Sequence, residues 1–267
     1  MTILVLEGDS DLVTLSGCLD RQHCRVVVAA SGKPDAIQAV EFADVEGMEG
    51  VLAIVDSDFV DIHESRSSSS RIFYTDLYDL DSSVFFVEGI VERCVEALVG
   101  YVAVHGEDAS HGDSGQLAAI RDDAVRMASL VGYLRLYAMK GSHELPLDNF
   151  PIERVFDGGF QVSAEELKAI LPKKCRGVSL SEDMIDAWLV RMESEAIPVR
   201  RVSQGHDLFR ALSYSVKIRW GMALKADVWE KLARSHWRID HLRSLRLFDQ
   251  VLSWSKSTGF CVWVANE

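Results

Sequence analysis

The sequence lacks any stretch approaching the roughly 18 uninterrupted apolar residues that a membrane-spanning helix requires. Its start, MTILVLEGDS, lacks the basic segment that opens a secretory signal peptide. The expected location is the cytoplasm, with no membrane partner. Cysteine is sparse, and Cys18, Cys24, Cys94, Cys175 and Cys261 are odd in number, widely spaced and never in a CxxC pair. That spacing argues against a disulfide framework and a structural zinc site, and leaves the thiols to be read as buried small hydrophobes. Positive charge is short as well: 28 Lys and Arg stand against 41 Asp and Glu, a formal net of −13. Taken alone, that deficit argues against nucleic acid, whose phosphates attract cations. Apolar residues are plentiful at 48%, enough for a real core, so wholesale disorder is excluded. A length of 267 residues suits one large domain or two modest ones.

The charge is unevenly spread. Residues 1–105 hold 6 Lys and Arg against 19 Asp and Glu, so they carry the whole net of −13. Residues 106–267 hold 22 of each, and within them residues 199–256 carry 12 basic against 5 acidic side chains, a net of +7. An acidic first part joined to a basic last quarter is therefore compatible with a nucleic-acid substrate, provided metal neutralises some of the acid.

Short apolar runs alternate with helical patterns in the first part. ILVL (3–6), CRVVVAA (24–30), VLAIV (51–55) and RIFYT (71–75) read as strands. Leu12, Leu15 and Leu19 fall at helical spacing, Pro34 suits the first turn of a helix through Phe42, and a long helix is expected from Ser82 to Val99. Continuous apolar strands separated by helices predict an α/β fold with a parallel sheet covered on both faces. DIHESRSSSS, between the third and fourth strands, predicts a mobile surface loop. From about residue 107 the pattern is mainly helical, with helices expected at 114–139, 163–171, 181–195, 206–220, 225–235 and 240–256, Ser181 and Asp207 as N-caps, and FCVWV (260–264) as a last strand. The expected division is a domain at 1–105 and a mostly helical one at 106–267, which would serve partner, dimer or substrate contacts.

In open α/β sheets functional groups collect beyond the carboxyl ends of the strands. Acidic side chains stand there after three of the four: Glu7 after the first, Asp56 and Asp58 after the third, and Asp76, Asp79 and Asp81 after the fourth. Carboxylates that close raise each other's pKa unless a cation sits among them. Mg2+, which takes oxygen ligands, is the expected ion. Asp56 and Asp58, two apart at a strand end, can hold one ion, and Glu7 with Asp11, one helical turn on, can face a second. Two ions about 3.5–4 Å apart would clamp the two oxygens of a phosphodiester under exchange. For Asp9, Asp35 and Asp76, a helix-cap or dipole role explains the acid equally well.

The order LVLEGDSD, then a strand, Gly32-Lys33-Pro34 and a helix, then VLAIVDSDF resembles the TOPRIM fold of topoisomerases, primases and overcoming-lysogenisation-defect (OLD) nucleases. The hallmark of that fold is a Glu after the first strand and a later Asp-x-Asp. Within the superfamily the chain is most similar to the stand-alone TOPRIM effectors of the PARIS anti-phage defence type, through Gly32-Lys33, Thr75 with Asp79-Leu80-Asp81, and Val202-Ser203-Gln204-Gly205-His206-Asp207-Leu208. The TOPRIM part covers about residues 1–105, and the rest matches more loosely. The resemblance implies a Mg2+-dependent nuclease, with Mn2+ as the substitute ion, acting on RNA such as tRNA or on DNA. It would be the toxic effector of an antiviral system held in check by an ABC-type, OLD-like ATPase sensor. It also implies that Glu7, Asp11, Asp56 and Asp58 bind metal and that Asp79 or Asp81 completes a second site. Glu7, Asp56 and Asp58 would serve catalysis. Where relatives often show Gly-Lys-Asp, this chain has Gly205-His206-Asp207, so His206 would replace the Lys charge only when protonated, or act as a proton donor. A helix-start surface role for His206 is the other reading.

Lys33 could meet a phosphate or be a solvated lysine. Trp188, Trp220, Trp229, Trp237 and Trp254 lie at helical spacing from other apolar residues and read as core or interface rather than base-stacking platforms. Arg234, Arg238, Arg243 and Arg246, with His236 and His241, form the best nucleic-acid candidate, led by Arg238 and Arg243 as substrate contacts. A solvated helix face and an acidic ATPase partner fit the same set. The Trp-rich helical part suggests a homodimer surface. The competing function is a non-catalytic module that keeps the TOPRIM shell and binds an ATPase or dimerises. Topoisomerase- or primase-like chemistry finds neither a well-placed Tyr nucleophile nor a zinc domain.

Overall fold

A computed structural model describes residues 1–105, 114–176 and 179–264, with the backbone alone described for 99–105 and 114. The chain divides into two compact units, one made of Met1–Val87 with Ala233–Glu267, the other of Glu88–Leu232.

The first unit opens with β1 (Thr2–Leu6), α1 (Asp9–Leu15), β2 (Cys24–Val28), α2 (Lys33–Val45), β3 (Val51–Val55), β4 (Ile72–Tyr74) and α3 (Leu80–Phe86). The strands form one parallel sheet in the order β2-β1-β3-β4. Parallel neighbours need crossovers with helices on the faces, so central strands are apolar on both sides. β3 obeys this at every residue, and Val5, Ala53 and Val55 pack against Ala36, Val40 and Ala43 of α2. β2 is an edge strand, which is why Val27 is left half exposed. The expected α/β class, with a parallel sheet flanked by helices and a helical C-terminal region, is the observed one.

The second unit contains α4 (Ile90–His105), α5 (Ser114–Lys140), α6 (Ile152–Val155), α7 (Ala164–Lys174), α8 (Glu182–Glu193), a 3-10 turn at Val199–Arg201 and α9 (Gly205–Trp220). The chain leaves it within α10 (Ala226–His236), and α11 (Ile239–Arg243) and α12 (Arg246–Thr258) then rejoin the sheet unit, where α12 packs on β4. The expected division at residue 105 differs from this partition in two ways. The sheet unit ends at Val87, and the last 35 residues, from Ala233 to Glu267, belong to it.

Five further expectations need correction. The helix read as 82–99 is two, because Gly89 at φ 82° turns the chain between α3 and α4. The helix read as 240–256 is also two, broken where Leu245 is extended. FCVWV is not a strand; Trp263 makes only an isolated bridge to Leu19. Asp207 does not cap its helix. Gln204 holds the N-cap position of α9, and Asp207 sits in the first turn, buried against Arg135. Finally, Cys18, Cys24 and Cys94 are buried as expected, but Cys175 is half-buried and Cys261 exposed. Burial pushes the Cys18 and Cys24 thiols up to about 11 and Cys94 to about 12, so these three are held as thiols.

Ser181 does cap α8, accepting from the Met184 N–H at 3.3 Å. In the serine loop, Ser67 N–H donates to Tyr74 Oη at 3.0 Å, Ser67 Oγ bonds Glu41 at 2.9 Å, and Arg66 pairs with Asp61. Trp220, Trp229, Trp237 and Trp254 are buried, as a packing role demands.

In the helical unit α5 lies along α9 and the Val199–Arg201 turn. Gly132 permits the approach: a Cβ there would stand 2.1 Å from the Val202 carbonyl oxygen and 2.7 Å from its carbon. The obstruction is backbone and cannot swing aside. Gly132→Ala is therefore expected to destabilise the protein by about 2 kcal/mol or more, despite the roughly 1 kcal/mol that alanine gains over glycine in a helix. Urea denaturation checks this, and an unchanged midpoint would refute the close approach.

Candidate functional site

The sheet register builds the site. Leu6 lies opposite Ile54 and Val55 opposite Tyr74, so the residues that follow β1, β3 and β4 meet at one edge. The strand order reverses between β1 and β3, with β2 on one side and β4 on the other, and that crevice is where open α/β sheets place their ligands.

Glu7 stands in the crevice as a half-buried side chain, and its Oε1 accepts the Asp56 N–H at 2.6 Å. Burial pushes its carboxyl from the ordinary 4.5 up to about 7, with Asp58 and Asp11 adding to the rise and the Asp56 N–H and Lys33 opposing it. Asp11, in the first turn of α1, accepts the Gly8 N–H at 3.1 Å. Burial raises it from 3.8 to about 6, helped by Asp81 and opposed by the Gly8 bond and Arg234. Asp56 accepts the Leu80 N–H at 3.3 Å and is held well above the usual carboxylate range by burial first, then by Asp79, Glu7, Asp11 and Asp58. Three carboxyls, following β1, in α1 and following β3, are thus raised first by burial and then by neighbouring acids.

The remaining acids are differently occupied. Asp58, left-handed at φ 44°, pairs through Oδ2 with Lys33 Nζ at 2.8 Å, and Lys33 also lies 5.7 Å from the Tyr74 ring centre. Asp79 is the N-cap of α3, accepting the Ser82 N–H at 2.6 Å. Asp81 forms a two-pronged ion pair with Arg234, whose Nε lies 2.8 Å from Oδ1 while Nη2 bonds Oδ2. Ser57 and Thr75 lock the β3 and β4 ends together, Ser57 N–H donating to Thr75 Oγ1 at 2.9 Å. Asp76 accepts the Arg246 N–H at 2.6 Å, and Asp35 the Ser31 N–H at 2.9 Å, which are structural roles.

The six acids expected as metal ligands therefore gather in one unit, together with Lys33. Among the described residues, no group of three or more His, Cys, Asp or Glu side chains is arranged as it stands to hold a metal ion. His206 belongs to the other unit, where its Nδ1 lies 2.7 Å from Glu230 Oε1; that hydrogen bond raises its pKa and favours the imidazolium. Arg238 Nη1 donates to the Ser235 and Trp237 carbonyls at 2.6 and 2.8 Å, and Arg243 pairs with Asp240 at 2.8 Å. Sequence reasoning missed Arg234 as a member of the acidic site. Its partner Asp81 is 153 residues away, and only its place in a basic run drew attention to it.

The chain matches no protein-family model and no curated protein at a significant level.

Proposed function

We propose that the protein is a metal-dependent nuclease of TOPRIM type, hydrolysing phosphodiester bonds in RNA or DNA as the effector of an antiviral system under the control of an ABC-type ATPase. The observation that carries this reading is the convergence of Glu7, Asp11 and Asp56 at the crevice between β1 and β3. Burial and neighbouring acids both disfavour their ionised forms, and a bound cation would offset both.

The donor set fits a hard divalent cation such as Mg2+, with Mn2+ as substitute, because every donor is a carboxylate oxygen. Glu7, Asp11 and Asp56 would hold it, after side-chain adjustment, and when bound it would neutralise charge on a phosphoryl oxygen. Glu7, with its carboxyl near 7, can take a proton at neutral pH. Lys33 and Arg234 hold Asp58 and Asp81 in place, while Glu7, Asp11 and Asp56 have no side-chain cation paired to them among the described residues.

A second reading, a non-catalytic module that binds an ATPase, is favoured by those same two ion pairs, which neutralise two of the acids without metal. The reading is tested by nicking of plasmid and cleavage of tRNA with Mg2+ or Mn2+, using protein co-purified with its activating ATPase. Glu7→Ala and Asp56→Ala are expected to abolish cleavage. If the activated wild type cuts neither substrate, or both variants cut as well as it does, the second reading stands.

A further inference from the structure

Helix α9 carries Arg210, Ser213 and Lys217 at spacings that put them on one face. In the helical unit that face lines a cavity of about 580 Å³ together with Glu153 and with Lys225, the residue before α10. Three cations thus meet one carboxylate, in a chain whose net charge is −13. Other basic side chains in this unit are matched to acids, among them Arg135 to Asp207, Arg219 to Asp123 and Lys168 to Asp186. Arg210, Lys217 and Lys225 form no side-chain ion pair or hydrogen bond with another described residue.

Two details mark the lining of this cavity. Arg210 Nη1 is buried with no hydrogen-bond partner, a state that costs about 1–3 kcal/mol unless something completes it. The Lys225 carbonyl accepts the Val228 and Trp229 N–H groups, so Lys225 occupies the cap position of α10. That position favours side chains with an acceptor, and lysine has none. A cation there also adds to the positive end of the helix dipole, and Asp227 in the same turn is drawn off by Lys231 at 3.3 Å. The uncapped helix start with its lysine suits an anion in the cavity. The frame is held, since Ser213 Oγ bonds the Leu224 carbonyl and Tyr214 Oη bonds the Phe156 carbonyl at 3.1 Å.

We propose that the cavity lined by Arg210, Lys217 and Lys225 binds phosphate groups carried on nucleotides. This goes beyond the nuclease reading, because binding here uses none of the carboxylates of the sheet unit. The two sources of such phosphates are a polynucleotide backbone and a free nucleoside triphosphate.

The test is fluorescence anisotropy on the full chain in EDTA, so that no metal-dependent cleavage intrudes. One arm uses labelled single-stranded RNA and DNA oligonucleotides, the other a labelled ATP. The variant Arg210→Gln/Lys217→Gln/Lys225→Gln should weaken binding at least about tenfold. It should also lower the slope of log affinity against log salt by about 2, from roughly 0.7 per phosphate contact on single strands. Glu153→Gln should tighten binding. A loss confined to the oligonucleotides identifies a backbone site, and one confined to ATP a mononucleotide site. The exposed pair Lys217→Gln/Lys225→Gln covers the case in which the triple variant fails to fold, and should still weaken binding severalfold. The proposal is overturned if the wild type binds neither ligand, if the folded variants bind both as well as the wild type, or if Arg238→Gln/Arg243→Gln removes the binding instead.

Discussion

Glu7→Gln is expected to make the metal-free protein more stable by roughly 3 kcal/mol at pH 8 and, in the same molecule, to abolish cleavage. Glutamine keeps the shape of a protonated glutamate and can still accept the Asp56 N–H, but it never ionises. The carboxyl of Glu7 is raised from 4.5 to about 7. A raised carboxyl binds its proton more tightly in the folded chain than in the unfolded one. Its contribution is fully present below about pH 4.5 and is lost as the pH rises through about 7. At about 1.4 kcal/mol per unit, the loss is roughly 3 kcal/mol. The gain from Glu7→Gln should therefore be small at pH 4.5 and full at pH 8, as urea denaturation in EDTA across that range will show. A gain independent of pH would sink the argument. Mg2+ bears on the same energy from the other side. An ion bound only to the folded state adds about 2.7 kcal/mol at a hundred times its dissociation constant. The wild type should gain thermal stability from Mg2+ and Glu7→Gln should not; equal responses would place the ion elsewhere.

Arg135→Met is expected to destabilise the protein by about 3–5 kcal/mol. Asp207 is 2% exposed and its Oδ2 accepts from Arg135 Nη2 at 2.9 Å, across the packed pair α5 and α9. Methionine keeps much of the arginine stem but strands a buried carboxylate, which costs more than the pair itself was worth. The double variant Arg135→Met/Asp207→Asn should recover much of the loss, since the uncompensated charge is gone. Thermal and urea unfolding of the cycle measure this coupling. If the two single losses simply add, Arg135 is not what keeps Asp207 buried.

The strands were legible because a parallel central strand must be apolar on both sides, and VLAIV has no other plausible use. Helix breaks were less legible. Val87-Glu88-Gly89 interrupts a periodic apolar pattern only because Gly89 takes a left-handed conformation, and a glycine inside such a pattern reads equally well as tolerated. The return of the last 35 residues to the sheet unit left no local signal at all, because packing partners far apart in sequence do not mark each other. The same blindness hid Arg234, and it hid the near neighbours that Arg238 and Arg243 engage in their own turns.

The order of Glu7 and Asp11 after the first strand and Asp56 and Asp58 after the third, and the acidity of the first 105 residues, are properties of the sequence. Local hydrophobic pattern suffices to bring those acids to one sheet edge, because each strand delivers whatever follows it. What each acid does there required tertiary contacts. Asp79 caps a helix, Asp58 and Asp81 are paired by Lys33 and Arg234, and Glu7, Asp11 and Asp56 are raised first by burial and then by the acids around them. A carboxylate's partner and pKa depend on burial and on charges a few ångströms away through space, and neither quantity is written in the spacing along the chain.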